Sequence, residues 1–300
     1  MIDAALILQQ LVNAIALGGT YALLALGLAV VFSIMGLINF AHGELMTIAG
    51  YVLMACGLIG LPFGLAVPLA VMGAMLAAVA MERIAFRPVR NASAATMLVT
   101  SFAVAMILQV LFQNLISARS QPVIIPDFLS TSLQIGGFVI GVNKVFAIVL
   151  TMIMLVALEL FMTRQKHGIA MRAAAEDFDV ARLMGIRADT VIAGAFALSG
   201  MLAGVAAVLW VAQRGSADPL MGFTPVLKAF IAAILGGLGS LKGAVAGGMM
   251  LGFIEVFLAA FLPSAWQEFR EPIALSLVVL ILVARPNGLI PAAALKAQKA

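Results

Sequence analysis

The sequence predicts an all-α polytopic membrane protein: about eight or nine transmembrane segments, some broken or re-entrant, and one short helix outside the bilayer. Three observations carry this. The 300 residues are 64% hydrophobic and 10% charged, with a mean hydropathy of +1.17, which leaves too little polar surface to cover a water-soluble globule. Lipid is therefore the solvent. Aromatic residues make up only 7%, and the apolarity comes from Ala, Leu, Ile, Val, Met and Gly. That mix favours helices over a transmembrane barrel, whose strands alternate and whose rims are aromatic. The longest break between apolar stretches is the charged block 163–190, TRQKHGIAMRAAAEDFDVARLMGIRADT. The chain reads as one transmembrane domain over 1–300 with that block as its conspicuous soluble insert.

A helix rising ~1.5 Å per residue needs about 20 apolar residues to cross the bilayer. The N-terminus, MIDAALILQQLVN, has neither a basic leader nor a small-residue cleavage site, and reads as the start of the first span. The predicted spans are 8–35, 40–60, 65–83, 95–117, 143–162, 189–212, 225–238, 243–262 and 271–285. Segment 225–238 is short and ends in GGLGS, as a half-helix or re-entrant piece would. The last span has room to extend upstream towards Trp266. Between spans, residues 117–142 carry two prolines and then LQIGGFVIGV, a small hairpin around Gly136-Gly137. Residues 213–224, QRGSADPLMGFT, are polar and turn-rich. Each of these segments reads equally as a docking surface or a connecting loop.

Cytoplasmic loops accumulate Lys and Arg, so their distribution sets orientation. With the charged block inside, Arg83, Arg87, Arg90, Arg164, Lys166, Arg172, Arg182, Arg187, Lys242, Arg285, Lys296 and Lys299 fall on the cytoplasmic side. Only Arg119, Lys144, Arg214, Lys228 and Arg270 fall towards the outside. The N-terminus is then outside and the C-terminus in the cytoplasm.

Two stretches look broken. In GLINFAHGELMTIAGY (36–51), Gly36 and Gly43 bracket Asn39, His42 and Glu44. An ionisable group in mid-bilayer costs a few kcal/mol, so these side chains must face a protein interior, a cavity or the interface. In GGLGSLKGAVAGGMMLGFIE (236–255), Gly236 and Gly243 repeat the seven-residue spacing of Gly36 and Gly43, as a parallel internal repeat would. Candidates for a translocation pathway are therefore Asn39, His42, Gly43, Glu44, Gly236, Gly237, Gly239, Ser240 and Glu255. Structural alternatives stand beside them. His42 and Glu44 suit a cap-and-turn role at the cytoplasmic interface, Glu255 an interhelical hydrogen bond, and the glycines close packing. Glu82 and Glu159 lie near span ends, snorkelling or paired, and Lys228 reads as snorkelling.

Within the charged block, residues 168–186 are helix-competent: Ala-rich, free of proline, with Gly185 as a stop. Phe178, Ala181 and Leu183 with Met184 recur near helical spacing, while Arg172, Glu176, Asp177, Asp179 and Arg182 supply the polar faces. So short a helix needs a partner. Three acids (Glu176, Asp177, Asp179) argue against an anionic membrane surface, and a protein groove taking Phe178 and Leu183 fits better.

Several function classes drop out. One cysteine, Cys56, and two distant histidines, His42 and His167, form neither an internal disulfide nor a metal cluster. No nucleic-acid patch exists, because the basic residues track membrane edges. His42 with Glu44, or Ser240 beside Gly239, lacks a catalytic partner set, so no catalytic residue is assigned. No G-x-x-x-x-G-K-[ST] occurs, so the chain has no phosphate-binding P-loop of its own. Energy must come from partner subunits, or, for a transporter or channel working alone, from a gradient coupled through Glu44 or Glu255.

NFAHGELMTIAGY (39–51), GIAMRAAAEDFDVARLMGI (168–186), GGLGSLKGAVAGGMMLG (236–252) and the ending RPNGLI (285–290) resemble the permease subunits of branched-chain amino acid ABC importers, specifically the LivH-type member. The resemblance covers essentially the whole chain. It implies an inner-membrane permease domain that pairs with a second, similar permease, two cytoplasmic ATP-binding subunits and an extracytoplasmic solute-binding protein. ATP and Mg would be bound by those partners and no cofactor by this chain. Residues 172–185 would be the coupling helix seated in the ATPase cleft, with Arg172, Glu176, Asp177, Phe178, Ala181, Arg182, Leu183 and Gly185 as its contact set. AAAEDFDVARLMG stands where related permeases carry an EAA–Gly loop, though here acids follow the alanines.

Overall fold

The structure, a computed structural model, describes residues 4–135 and 138–290. It is helical and polytopic, as predicted. In chain order it runs α1 (Ala4–Met35), α2 (His42–Leu58), α3 (Phe63–Met81), α4 (Ala94–Leu115), β1 (Gln121–Pro122), α5 (Asp127–Ser130), β2 (Ser132–Ile135) and β3 (Phe138–Gly141). Then follow α6 (Val142–Arg164), α7 (Lys166–Glu176), α8 (Phe178–Leu183), α9 (Ala188–Arg214), β4 (Ser216–Ala217), α10 (Phe223–Gly236), α11 (Leu241–Phe261) and α12 (Arg270–Ala284). Each predicted span has its helix. Among the described residues, six are long and apolar enough to cross a membrane by themselves. The shorter α2, α10 and α12 have 17, 14 and 15 residues.

The centre of the bundle is α1 and α9. Both are apolar on every side, and a helix with no polar face must be enclosed by others. α1 packs on α6, α9, α10 and α11, and α9 packs on α2 and α3 as well. Small residues make this possible, because lipid-soluble helices gain mainly from close contact. Gly252 of α11 lies directly on Gly18 of α1, and a Cβ at Gly200 of α9 would stand 2.5 Å from the Ala74 carbonyl of α3. Of the six long helices α4 is the least enclosed, with Val99, Met106 and Leu115 exposed along it.

Several boundaries differ from expectation. α3 continues through a π turn (Glu82–Phe86) and a 3-10 turn (Arg87–Val89), beyond the predicted end at 83. Glu82 is the reason: its carboxylate is buried and takes the Arg87 guanidinium at 3.2 Å, so the turn is held in place. Trp266 lies in a 3-10 segment, Ser264–Phe269, rather than in an extension of α12. The hairpin forms as β2 and β3, antiparallel, with Ser132 opposite Gly141; its Gly136-Gly137 tip lies outside the described residues. β1 pairs with β4, which ties the two long connecting segments together.

The first break is placed differently too. Gly36 (φ +64°) ends α1, residues 36–41 are non-helical, and α2 then runs unbroken through Gly43. The second break, 237–240, separates α10 from α11. On the face that carries α7, Ser33 and Ile34 at the end of α1 and Gly239 and Leu241 at the second break border one cavity with Arg172.

Candidate translocation path and coupling surface

The predicted coupling helix is two helices, not one. Asp177 adopts an extended conformation (φ −152°, ψ 106°), and its carboxylate accepts hydrogen bonds from the backbone N–H groups of Asp179 (3.0 Å) and Val180 (2.9 Å). Capping α8 this way satisfies donors that a continuous helix would have spent on the preceding turn. Gly185, at φ +83°, ends α8 in the left-handed region, as its place in the sequence predicts.

The restart rotates the faces. Phe178 and Ala181, three residues apart, turn inward; Phe178 packs on the bundle and Ala181 is buried. Val180, Leu183 and Met184 take the opposite side, 52%, 87% and 79% exposed. The expectation that Phe178 and Leu183 would enter one external groove is therefore corrected: Phe178, partly buried, packs against the chain's own core while Leu183 points away from it. Arg182 borders a cavity of about 490 Å³ together with Phe178, Asp179 and Arg90. Arg172 and Glu176 of α7 border a smaller one, about 170 Å³, with Gly239, so part of the predicted coupling set meets the second break.

The α7–α8 element is joined rigidly to the bundle. Met171 and Ala174 are buried, and Gly168 lies against the Phe161 carbonyl where no side chain fits. Arg90 binds Asp189 at the start of α9, and Arg87 reaches the same carboxylate at 3.9 Å. Removing the cap should loosen only the α7–α8 joint. Asp177→Ala is expected to cost about 1 kcal/mol of local stability, seen as faster proteolysis at 176–178, while Asp177→Asn keeps the wild-type pattern.

The first polar cluster lies inside the bundle. Asn39, His42 and Glu44 are 1%, 0% and 1% exposed. His42 Nδ1 stands 2.9 Å from Ser199 Oγ of α9, and its ring fills the space beside Gly27 of α1, where a Cβ would come within 2.5 Å of Cε1. Gln109 Nε2 of α4 donates to Glu44 Oε1 at 2.8 Å. The Phe40 N–H donates to Ser101 Oγ at 3.3 Å, and the Phe40 ring stacks on Phe102 with centroids 4.4 Å apart. Neither His42 nor Glu44 caps α2, whose N-cap is Ala41 without a side-chain bond. The cap-and-turn alternative is thus corrected, since both side chains turn sideways into neighbouring helices. Gly43, directly between them, packs on Gly222, so the first turns of α2 and α10 abut.

The second group, Gly236, Gly237, Gly239 and Ser240, lies apart from the first. Gly237 (φ +115°) and Gly239 (φ +82°) take conformations that side chains resist, and Ser240 Oγ caps α11 by accepting from the Gly243 N–H at 3.1 Å. The RPNGLI ending folds back here: the Leu289 and Ile290 N–H groups donate to the Leu235 and Gly236 carbonyls, each at 2.9 Å.

Glu255 occupies a third place, near the opposite face. Lys228 Nζ lies 2.8 Å from Glu255 Oε1 and 3.0 Å from Glu271 Oε1, and the Tyr21 hydroxyl donates to Glu255 Oε2 at 2.9 Å. The interhelical hydrogen bond anticipated for Glu255 is present. Lys228 is corrected from a snorkelling residue to an ion-pair partner, only 15% exposed at its side chain. Lys228→Met should therefore cost about 2 kcal/mol, below the ~3–5 kcal/mol of a fully buried pair because an open cavity adjoins it. Lys228→Met combined with Glu255→Gln should recover most of that loss in thermal unfolding.

The nine pathway candidates are thus three separate groups. Sequence reading missed Gln109, Ser199 and Tyr21 as their partners, and Ser101 as the partner of the neighbouring Phe40 N–H. Gln109 and Ser101 were visible as polar residues within a span, but their partners lie 65 and 61 positions away.

A bundle with two interrupted helix pairs, polar side chains enclosed between spans and a charged two-helix element at one face is the architecture of a membrane transport subunit. The chain belongs to the family of branched-chain amino acid transport system permease components, whose model matches residues 10–284. It is 36% identical to the high-affinity branched-chain amino acid transport system permease protein BraD of Pseudomonas aeruginosa, over 94% of this chain and 95% of that protein. The corresponding Escherichia coli permease, LivH, is also 36% identical over the same shares. A probable LivH of Methanocaldococcus jannaschii is 30% identical over 92% of this chain and 90% of that one. Among solved structures, PsaBC from Streptococcus pneumoniae in complex with Fab matches with a TM-score of 0.50 and 14% identity, covering 94% of this chain and 92% of that chain; the likeness is one of fold.

Proposed function

We propose that this chain is a permease subunit of an ATP-binding cassette importer and carries leucine, isoleucine, valine or a related small amino acid or amide into the cytoplasm by alternating access. It sits in the inner membrane with its N-terminus outside, its C-terminus inside, and the α7–α8 face in the cytoplasm, in keeping with the Lys and Arg bias. A second homologous permease completes the pathway, two ATP-binding subunits hold ATP and Mg, and an extracytoplasmic binding protein delivers cargo. This chain itself binds no cofactor.

The observation that carries the reading is α8: apolar side chains at Leu183 and Met184 stand almost fully exposed on a polar element fixed to two spans. Exposed apolar groups on a rigid projection call for a protein partner. Closure of the ATPases would push α8. Motion would pass along α7 into α6 and α9, and through Arg172 and Glu176 towards the break at Gly239. Because α9 carries Ser199, the same push reaches His42 and the junction of α2 with α10.

Reconstitution tests this. The two permeases with both ATPases and the binding protein should take up leucine only with ATP, and this chain alone should take up none. Uptake by the chain alone would reject the assignment.

A further inference from the structure

Opposite the α7–α8 face lies the largest of the cavities described, about 620 Å³. Lys144, Arg214, Lys228 and Arg270 border it, against only two acids, Glu255 and Glu271. The acids are satisfied at their own wall, built by α10, α11 and α12. Lys228 Nζ lies 2.8 Å from Glu255 and 3.0 Å from Glu271, the Tyr21 hydroxyl donates to Glu255 at 2.9 Å, and the Arg270 guanidinium reaches Glu271 at 3.8 Å. The excess positive charge is therefore left at the other wall, built by α6 and α9. There Lys144 Nζ donates to the neutral Gln213 Oε1 at 3.1 Å, and the Arg214 guanidinium lies over the Trp210 ring, 4.1 Å from its centroid. Among the described residues, neither cation has an acid within ion-pair distance. Trp210 borders the same cavity and is only 8% exposed, and its indole N–H has no acceptor among the described residues. A buried donor without an acceptor is costly, and so is a cation without a counter-charge away from bulk water.

We propose that the α6–α9 wall of this cavity binds a small inorganic anion such as chloride. An ammonium, a guanidinium and an indole N–H are all donors, and none of the three side chains carries an acceptor for the others. One anion supplies the negative charge and the acceptor that all of them lack. The enclosure of the Trp210 N–H selects an ion without bulk of its own. A zwitterion is disfavoured, because each acid of the cavity already holds a cation or a hydroxyl donor. The anion ties the first turn of α6, which carries Lys144, to the last turn of α9, which carries Trp210 and Arg214. These are the ends of the two helices opposite the α7–α8 element that joins them. The inference goes beyond the transport reading and does not depend on it.

The test uses the full chain, purified in detergent with gluconate as the counter-ion. The sequence has two tryptophans, so Trp266→Phe leaves Trp210 as the only indole. Bromide quenches an indole that it touches. Bound at this site it should quench Trp210 emission along a saturating curve, and added chloride should restore the emission by competition. Lys144→Gln and Arg214→Gln should each raise the half-saturating bromide concentration about tenfold or more, and either variant suffices if the other fails to fold. In the wild-type chain, chloride should raise the unfolding temperature by about 2 °C or more over gluconate, and Trp210→Phe should lose most of that rise. Quenching that grows linearly with bromide and ignores chloride overturns the site, as does a saturating curve that neither charge variant alters. Emission restored by acetate or leucine but not by chloride would make the ligand a carboxylate and overturn the inorganic-anion assignment.

Discussion

Replacing Leu183 and Met184 together by aspartate should reduce ATP-driven uptake below about a hundredth of wild type. Anchor residues at a protein interface contribute about 2 kcal/mol or more each, and every 1.4 kcal/mol is tenfold in affinity. The substitution should not disturb the chain itself, because these side chains are 87% and 79% exposed and support no internal packing. Membrane insertion and thermal unfolding of the isolated permease should therefore match wild type, while copurification of the ATPases is lost. Phe178→Asp is the poorer probe, since that ring packs on the bundle and its loss would weaken fold and function together. Normal uptake in the Leu183→Asp, Met184→Asp variant would mean that α8 is not a grip.

The second large effect is expected at Gly222. Its backbone is unstrained (φ −84°), so alanine is conformationally acceptable there, yet the added Cβ would overlap the Gly43 carbonyl. Backbone cannot yield as a flexible side chain does, and overpacking of this kind costs about 3 kcal/mol. Gly222→Ala should thus lower the unfolding temperature clearly and impair uptake by prising α2 from α10. Gly64→Ala in α3 is the control: nothing lies within 4 Å of its Cβ, and stability should hold or rise slightly. Equal stability of the two variants would show that the α2–α10 contact is not tight.

The spans were legible because lipid imposes one rule on each of them: an apolar run of sufficient length, ended by charge, glycine or proline. Even the short α10 could be read from its 14 residues and the GGLGS that follows. The α7–α8 joint was harder. The Ala-rich run before Asp177 favours one helix, and only the capping bonds of Asp177 show that a second helix starts there. Within it Phe178 and Leu183, five positions apart, stand about 140° from each other, so when Phe178 packs on the bundle Leu183 is left exposed. Lys228 and Glu255 stand 27 positions apart, and their pairing depends on how α10 lies against α11, which no local pattern encodes. His42 and Glu44 were recognisable as costly polar residues. Their partners Ser199 and Gln109 come from other spans and required the bundle to be assembled first.

A photo-crosslinking residue placed at Leu183 in the assembled transporter is the most direct measurement. It should yield an adduct with an ATP-binding subunit, lost when those subunits are omitted. An adduct with the extracytoplasmic binding protein instead, or capture of lipid alone in the complete assembly, would contradict the assignment of α8 as the element that the ATPases hold.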